Sequence, residues 1–358
     1  MRQCKLRHLG GSRDATAVSR LSNATLEELA AHGAGIVSLC IPSAGVTCVS
    51  SVASSLRKLD ASYGSSIDDA GLARATRIRE LNAAFAAKIS TVVPFASSLR
   101  KLNATWHCGI DDAGLTAATR LKELIAPRNA KMRSVAPFAA SLRVLDASAD
   151  CGLDDAALAS ATRIVELKAS HNPKISTTGP FAASLRKLNA AAICGIGDAG
   201  LLGATRLRQL CAESNMEIRT VAPFAASLRE LDAGSGCGID DAGLLRAHGI
   251  VRLTAANNAK IRTVAPFADS LRTLDATWGC SIDDAGLARA SRIEVLNASH
   301  NAKIRTVAPF AASLRVLDAC GTSGIDPAGI AGARGIRELN TARNANFLRV
   351  AAAPAASP

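Results

Sequence analysis

Aromatic side chains are scarce in this chain of 358 residues: eight Phe, two Trp and one Tyr make up 3% of it. Its 48% apolar content must therefore pack mainly through aliphatic residues. Long apolar runs are missing too. No stretch approaches the roughly 18 residues of a membrane-spanning helix. The opening MRQCKLRHLGGSRDATAVS holds no apolar run of leader-peptide length. No membrane span is expected, and the expected location is cytoplasmic. The ten cysteines include no C-x-x-C pair, so the common zinc pattern is absent. Without a leader they read as free thiols in a reducing compartment. There is no G-x-x-x-x-G-K, no H-E-x-x-H and no G-x-S-x-G. No catalytic residue, metal site or cofactor is expected, and the chain reads as a non-enzyme.

What the chain does have is a period. SLRKLDA at Leu56 recurs as SLRKLNA at Leu99, SLRVLDA at Leu142 and SLRKLNA at Leu185, then at Leu228, Leu271 and Leu314, each 43 residues from the last. A related phrase lies between them: RIRELNA at Ile78, RLKELIA at Leu121, RIVELKA at Ile164, and so on to Ile336. Each block is thus a first unit of 22 residues followed by a second unit of 21. Both have an apolar residue at positions 1, 4 and 12 and mostly Ala at position 6. Ile/Leu-x-x-Leu-x-Ala is a short alternating run, which predicts a strand with positions 4 and 6 facing inward. Such units cannot bury an apolar face alone and must stack.

The second units carry Asn at position 9: Asn129, Asn172, Asn215, Asn258, Asn301 and Asn344, with Ala86 the exception. This pattern resembles the leucine-rich repeat family, L-x-x-L-x-L-x-x-N/C-x-L. The Ile-Asp-Asp-x-Gly-Leu phrase of the first units is similar to that of the family's cysteine-containing subclass. The resemblance implies an α/β solenoid of about 15 units: a horseshoe with a parallel β-sheet on the concave side and short helices or loops on the convex side. It spans residues 36–358, leaving residues 1–35 as an N-terminal capping segment. In that segment SNATLEELAAHG predicts a helix capped by Asn23 or Thr25. Two departures stand out. Ala replaces Leu at position 6, and the cysteines fall at position 10 rather than 9. The second units also close with Pro-Phe, from Pro94-Phe95 to Pro309-Phe310, which predicts an interior row of six phenylalanines.

The stretch NATWHCGIDDAGL (residues 103–115) has the residue types of a catalytic centre, but most of it is periodic. Cys108 belongs to a column with Cys151, Cys194, Cys237 and Cys280. Alternate strands lie about 9.5 Å apart, too far for a disulfide, so buried thiols are expected. The Asp pairs, Asp68-Asp69 through Asp283-Asp284, become Asp326-Pro327 in the last block. Asp before Pro is a helix start, so these acids read as caps. Only Trp106 and His107 fall outside the period.

The net charge is +12, from 42 basic and 30 acidic residues. The basic residues lie in columns, Lys88, Lys131, Lys174, Lys260 and Lys303 with Arg133, Arg219, Arg262 and Arg305, flanking the acidic caps. An alternating acid–base ladder along one rim is expected. The strand positions 3 and 5 mix Lys58 and Lys101 with Glu80, Glu123, Asp60 and Asp146. That face is a poor phosphate channel, which argues against nucleic acid.

Position 8, just past each strand, escapes the pattern. It runs Tyr63, Phe85, Trp106, Arg128, then Ala149, His171, Ala192, Ser214, Ser235, Asn257, Trp278, His300, Gly321 and Arg343. Its first four members fall on consecutive strands, so Tyr63, Phe85, Trp106 and Arg128, with His107 beside them, are expected to form one patch of hot-spot residue types. The favoured function is a non-enzymatic scaffold that binds a protein partner on its concave or rim surface, as a receptor or adaptor. The resemblance suggests an F-box-type receptor or an inhibitor similar to ribonuclease inhibitor as forms of it. The alternatives are a structural protein that self-associates end to end, or a basic-rim binder of an anionic partner.

Overall fold

The structure, a computed structural model, describes residues 21–41 and 45–347, together with the backbone of His8 and Leu9. The chain divides into two compact units, residues 1–175 and 176–358. The first holds eight three-residue or shorter strands: β1 (His8–Leu9), β2 (Ser38–Cys40), β3 (Lys58–Asp60), β4 (Glu80–Asn82), β5 (Lys101–Asn103), β6 (Glu123–Ile125), β7 (Val144–Asp146) and β8 (Glu166–Lys168). The second holds β9 (Lys187–Asn189), β10 (Gln209–Cys211), β11 (Glu230–Asp232), β12 (Arg252–Thr254), β13 (Thr273–Asp275), β14 (Val295–Asn297), β15 (Val316–Asp318) and β16 (Glu338–Asn340). In each, every strand pairs in parallel with its sequence neighbours, in register: Leu81 faces Leu102, and Leu274 faces Leu296. From residue 36 on there is one strand per predicted repeat, and β1 adds one ahead of them.

The inward positions are those the alternation predicts. Leu81, Leu102, Leu124 and Leu231 at position 4 and Ala83, Ala104, Ala126 and Ala233 at position 6 are buried. Alanine has no bulk beyond Cβ, so the returning turns close tightly over each strand. The six Pro-Phe phenylalanines, Phe95, Phe138, Phe181, Phe224, Phe267 and Phe310, are all buried in short 3-10 turns that carry Pro in their first turn.

The asparagine column ties successive turns together. Asn129 donates from Nδ2 to the Ala104 and Ile110 carbonyls and accepts from the Lys131 N–H. Asn172 and Asn258 repeat the pattern, and all three are buried. A buried amide is tolerated because its donors and its acceptor are matched.

The helix Asn23–Ala31 forms where its sequence predicts it, but the cap differs. Ser22 is the N-cap, its Oγ accepting from the Thr25 N–H. Asn23 instead accepts the Thr47 and Cys48 N–H groups, so it secures the helix to the following turn. The C-terminal residues 350–358 and Cys4 lie outside the described residues. No helix among the described residues is long and apolar enough to cross a membrane.

Candidate interaction surface

Position 8 shares one backbone state. From Tyr63 to Arg343 every member has φ between 51° and 66°, Gly321 included. The chain must turn sharply after each strand while the ladder continues one step further. A left-handed residue does both. Its N–H donates to the position-7 carbonyl of the next turn: Trp106 to Pro127 at 2.9 Å, Trp278 to Ser299 at 3.1 Å. This conformation suits Gly or Asn and costs other residues roughly 1 kcal/mol. Yet the row holds one Gly and one Asn; Ala149, Ala192, Ser214 and Ser235 are small, and the rest are bulky rings, His or Arg. Each side chain is held at a fixed height, one strand spacing from the next.

In the first unit this brings the four expected residues together. The Tyr63 and Phe85 rings stack at 5.1 Å with an interplanar angle of 18°. Phe85 and Trp106 stack at 5.4 Å and 19°. The Arg128 guanidinium lies 4.2 Å over the Trp106 ring, as a cation on a π face. His107 sits at the side of the stack, tilted at 53° and 6.2 Å from Trp106. Tyr63 is 64% exposed and Trp106, covered on both faces, is 37% exposed. Phe85 and Trp106 are covered on both faces, so the ridge presents their edges, the Arg128 guanidinium and the Tyr63 ring, which Phe85 covers on one face. Arg128 belongs to none of the described ion pairs.

The second unit carries a pair that sequence reasoning named only as members of the row. The Trp278 indole stacks on the His300 imidazole at 4.2 Å and 9°. A Cβ on Gly321 would stand 2.2 Å from His300 Cε1, so the imidazole rests on the glycine backbone. A side chain at Gly321 would displace it. The signal was present as an aromatic, a histidine and a glycine at consecutive positions 8.

The remaining candidates are structural. The first Asp of each pair caps a short helix, as Asp68 Oδ1 accepts from Gly71 N–H at 2.9 Å and Asp240 from Gly243 N–H at 2.9 Å. The second Asp reaches the next turn. Asp112 accepts from the Arg133 and Ser134 N–H groups, and Asp241 from those of Arg262 and Thr263. This corrects the expected acid–base ladder: the carboxylates take the backbone amides of the arginine column, not its guanidinium groups. None of the described ion pairs involves those columns. The cysteine column is buried, and burial pushes the Cys108 and Cys280 thiols up to about 11.

Outward strand positions carry charge of both signs. Lys58 pairs with Glu80 and Lys101 with Glu123, each at 2.9 Å between neighbouring strands. Half-exposed pairs of this kind add little stability but keep the face polar. In the second unit the donor atoms of Cys211, Glu213 and Asp232 lie within 4.8 Å of one another. They are engaged with neighbours: the Cys211 thiol donates to Asp232 Oδ2 at 3.6 Å, and Glu213 accepts from Ser235 Oγ at 2.9 Å. Burial raises the Asp232 carboxyl above its usual range, and the Glu213 and Asp275 charges raise it further.

No family model matches the chain, and no curated protein matches it by sequence. Solved structures do. An internalin, InlF, from Listeria monocytogenes aligns over 88% of this chain and 89% of its own, at 17% identity and a TM-score of 0.50. The functional domain of InlJ from Listeria monocytogenes, described as including a cysteine ladder, aligns over 82% of this chain and 65% of its own, at 16% identity and a TM-score of 0.47. TLR13 in its complex with ssRNA13 aligns over 87% and 62%, at 15% and 0.42. These are leucine-rich repeat proteins, and the parallel strands and short helices described above are that fold.

Proposed function

We propose that this chain is a non-catalytic protein-binding scaffold, and that Tyr63, Phe85, Trp106 and Arg128, with His107 at their side, form the ridge it offers to a protein partner. One observation carries the reading: three rings, Tyr63 and Trp106 exposed and Phe85 half-buried between them, are stacked with a guanidinium in a row whose backbone disfavours bulky residues. Strain of this kind is kept where a side chain has a use. The stacked faces exclude a ligand that must intercalate between rings, and ring edges beside a guanidinium that belongs to none of the described ion pairs suit a polypeptide surface. The free thiols support a reducing, cytoplasmic setting. Residues 1–35 serve as the cap and residues 36–358 as the binding solenoid.

The test is Trp106→Ala beside Trp106→Gly in quantitative pull-downs, followed by titration of the recovered partner. Both variants should weaken binding by about 2 kcal/mol or more, roughly 30-fold. Trp106→Gly also relieves the left-handed strain, so its stability should stay within about 1 kcal/mol of the parent. Unaltered affinity in both, with stability lost, would assign Trp106 to packing alone.

A further inference from the structure

The second unit contains an indole that is half of a sandwich. Trp278 stacks on His300 with one face, and the imidazole is closed behind by Gly321. Among the described residues no ring or guanidinium lies against the other indole face. Trp278 is 61% exposed, against 37% for Trp106, which is covered on both faces. The difference is what one open face leaves.

That face looks back along the row toward Asn257, Ser235 and Ser214, because the indole plane lies across the stacking direction. These rungs carry no rings. The Asn257 carboxamide rests over Gly279, its Oδ1 2.9 Å from where a Gly279 Cβ would stand. Rungs are about 4.8 Å apart, enough for one planar group against the indole.

The charge nearby chooses among planar groups. Asp275 lies three residues before Trp278 on the same turn. Two rungs back, Ser235 holds the Glu213 carboxylate at 2.9 Å. Asp232 lies on the strand that leads to Ser235 and is close enough to Glu213 and Asp275 for their charges to act on it. No basic residue stands in the row from Ala192 to Trp278; Arg252 lies at the far end of β12, at position 3, and the Lys303 ammonium donates to Ser281 Oγ at 3.2 Å on the loop beyond Trp278. A flat group lodged here is therefore best cationic, which selects guanidinium over a phenyl or sugar ring. The chain shows the same contact within itself, where Arg128 lies on Trp106 at 4.2 Å.

We propose that the open face of Trp278 is a binding site for an arginine side chain of a basic partner segment, with Asp275 and Glu213 supplying the opposing charge. The site stands apart from the Trp106 ridge, and either can fail without the other.

The experiment uses a full-length Trp106→Phe background, in which Trp278 is the sole tryptophan of the chain's two. Its fluorescence is titrated with the capped tripeptides Gly-Arg-Gly, Gly-citrulline-Gly and Gly-Phe-Gly. Citrulline keeps the planar shape and loses the charge. The arginine peptide should saturate and shift Trp278 emission, about threefold or more tighter than the citrulline peptide. Asp275→Asn combined with Glu213→Gln should erase that preference, and added salt should weaken binding. Calorimetric titration of Trp278→Ala should show no saturable arginine binding, while Trp278→Phe retains part of it, which separates a lost platform from a misfolded one. Equal or tighter binding of the citrulline or phenylalanine peptide would overturn the assignment. So would undiminished arginine binding by Trp278→Ala, or no saturation with the arginine peptide at all.

Discussion

Position 16 of the first units offers a test of how closely the turns stack. It is Gly71, Gly114, Gly200, Gly243, Gly286 and Gly329, but Ala157 in the third block. A Cβ on Gly243 would fall 2.1 Å from the Arg219 carbonyl oxygen, and one on Gly114 would fall 2.1 Å from that of Ser90. Contacts between carbon and oxygen normally lie beyond about 3.3 Å, so the two backbones would have to part by roughly 1 Å. The glycine carbonyls meanwhile accept a backbone hydrogen bond from the preceding unit, Val92 to Gly114 and Val221 to Gly243, both at 3.1 Å. At Ala157 the matching bond, from Val135, is absent among the described residues. There the methyl group of Ala157 occupies the position where the other blocks bring two backbones together. Gly243→Ala should therefore lose a backbone bond, about 1 kcal/mol, and add overpacking of about 1–3 kcal/mol. Ala157→Gly should recover the bond and the contact, less the entropy of a glycine, for a net gain of about 1 kcal/mol. Repeat arrays depart from two-state unfolding, so the readout is residue-resolved hydrogen exchange beside urea melts. The Val135 amide should become protected in Ala157→Gly. If Ala157→Gly leaves that amide unprotected and destabilises the protein, while Gly243→Ala is neutral, the close-stacking argument is wrong.

Two further perturbations probe the buried polar and ionisable groups. Burial holds the thiols of Cys108 and Cys280 up at about 11, so at neutral pH they stay protonated. Maleimide should label the native protein slowly at Cys108, Cys151, Cys194, Cys237 and Cys280, and rapid labelling of all five would contradict this. Asp232 has a folded-state pKa above its unfolded value, so the folded state binds its proton more tightly. Its charged form then weakens the fold as pH rises from about 4 through the folded pKa. Asp232→Asn should raise stability at pH 7 and lose that advantage below about pH 4, and denaturant midpoints across that range measure it.

Much of this architecture can be read from the period alone. A 43-residue repeat of two alternating phrases places each strand, and the inward Leu and Ala follow from the pleat. Helix capping by the first Asp was legible because Asp326-Pro327 exposes the cap geometry. The second Asp was not, since its partners are backbone amides one turn away in space, such as that of Arg133. Charged columns beside acidic ones suggested ion pairing, but the fold brings the backbone N–H groups of Arg133 and Arg262 to Asp112 and Asp241. Ser22 took the cap expected of Asn23 or Thr25 because Asn23 is already engaged by Thr47 and Cys48. The row at position 8 could be named from its irregularity. Its left-handed backbone and the pairing of Trp278 with His300 could not, because φ is set by the turn while position 8 itself holds a single glycine.

That near-absence of glycine bears on function. If the turn alone shaped position 8, Gly or Asn would dominate the row, since each removes a cost of roughly 1 kcal/mol. Only Gly321 and Asn257 do so, and Gly321 lies where the His300 ring needs an empty backbone. Tyr63, Phe85, Trp106 and Trp278 are the least economical choices, large rings that stay partly exposed. Stacking repays part of the cost, about 0.5–1.5 kcal/mol for each aromatic pair, and so accounts for rings standing next to rings. It does not account for Trp278, whose second face meets no partner ring among the described residues, nor for Arg128, whose guanidinium stays outside every described ion pair. Both side chains sit at position 8, on the same left-handed backbone as the rest of the row. A repeat backbone that fixes side chains at one spacing, with the reactive faces at the ends of its stacks left open, is a preorganised surface. It is on Trp278 and Arg128, more than on the self-covered rings between Tyr63 and Trp106, that substitutions should separate binding from stability most cleanly.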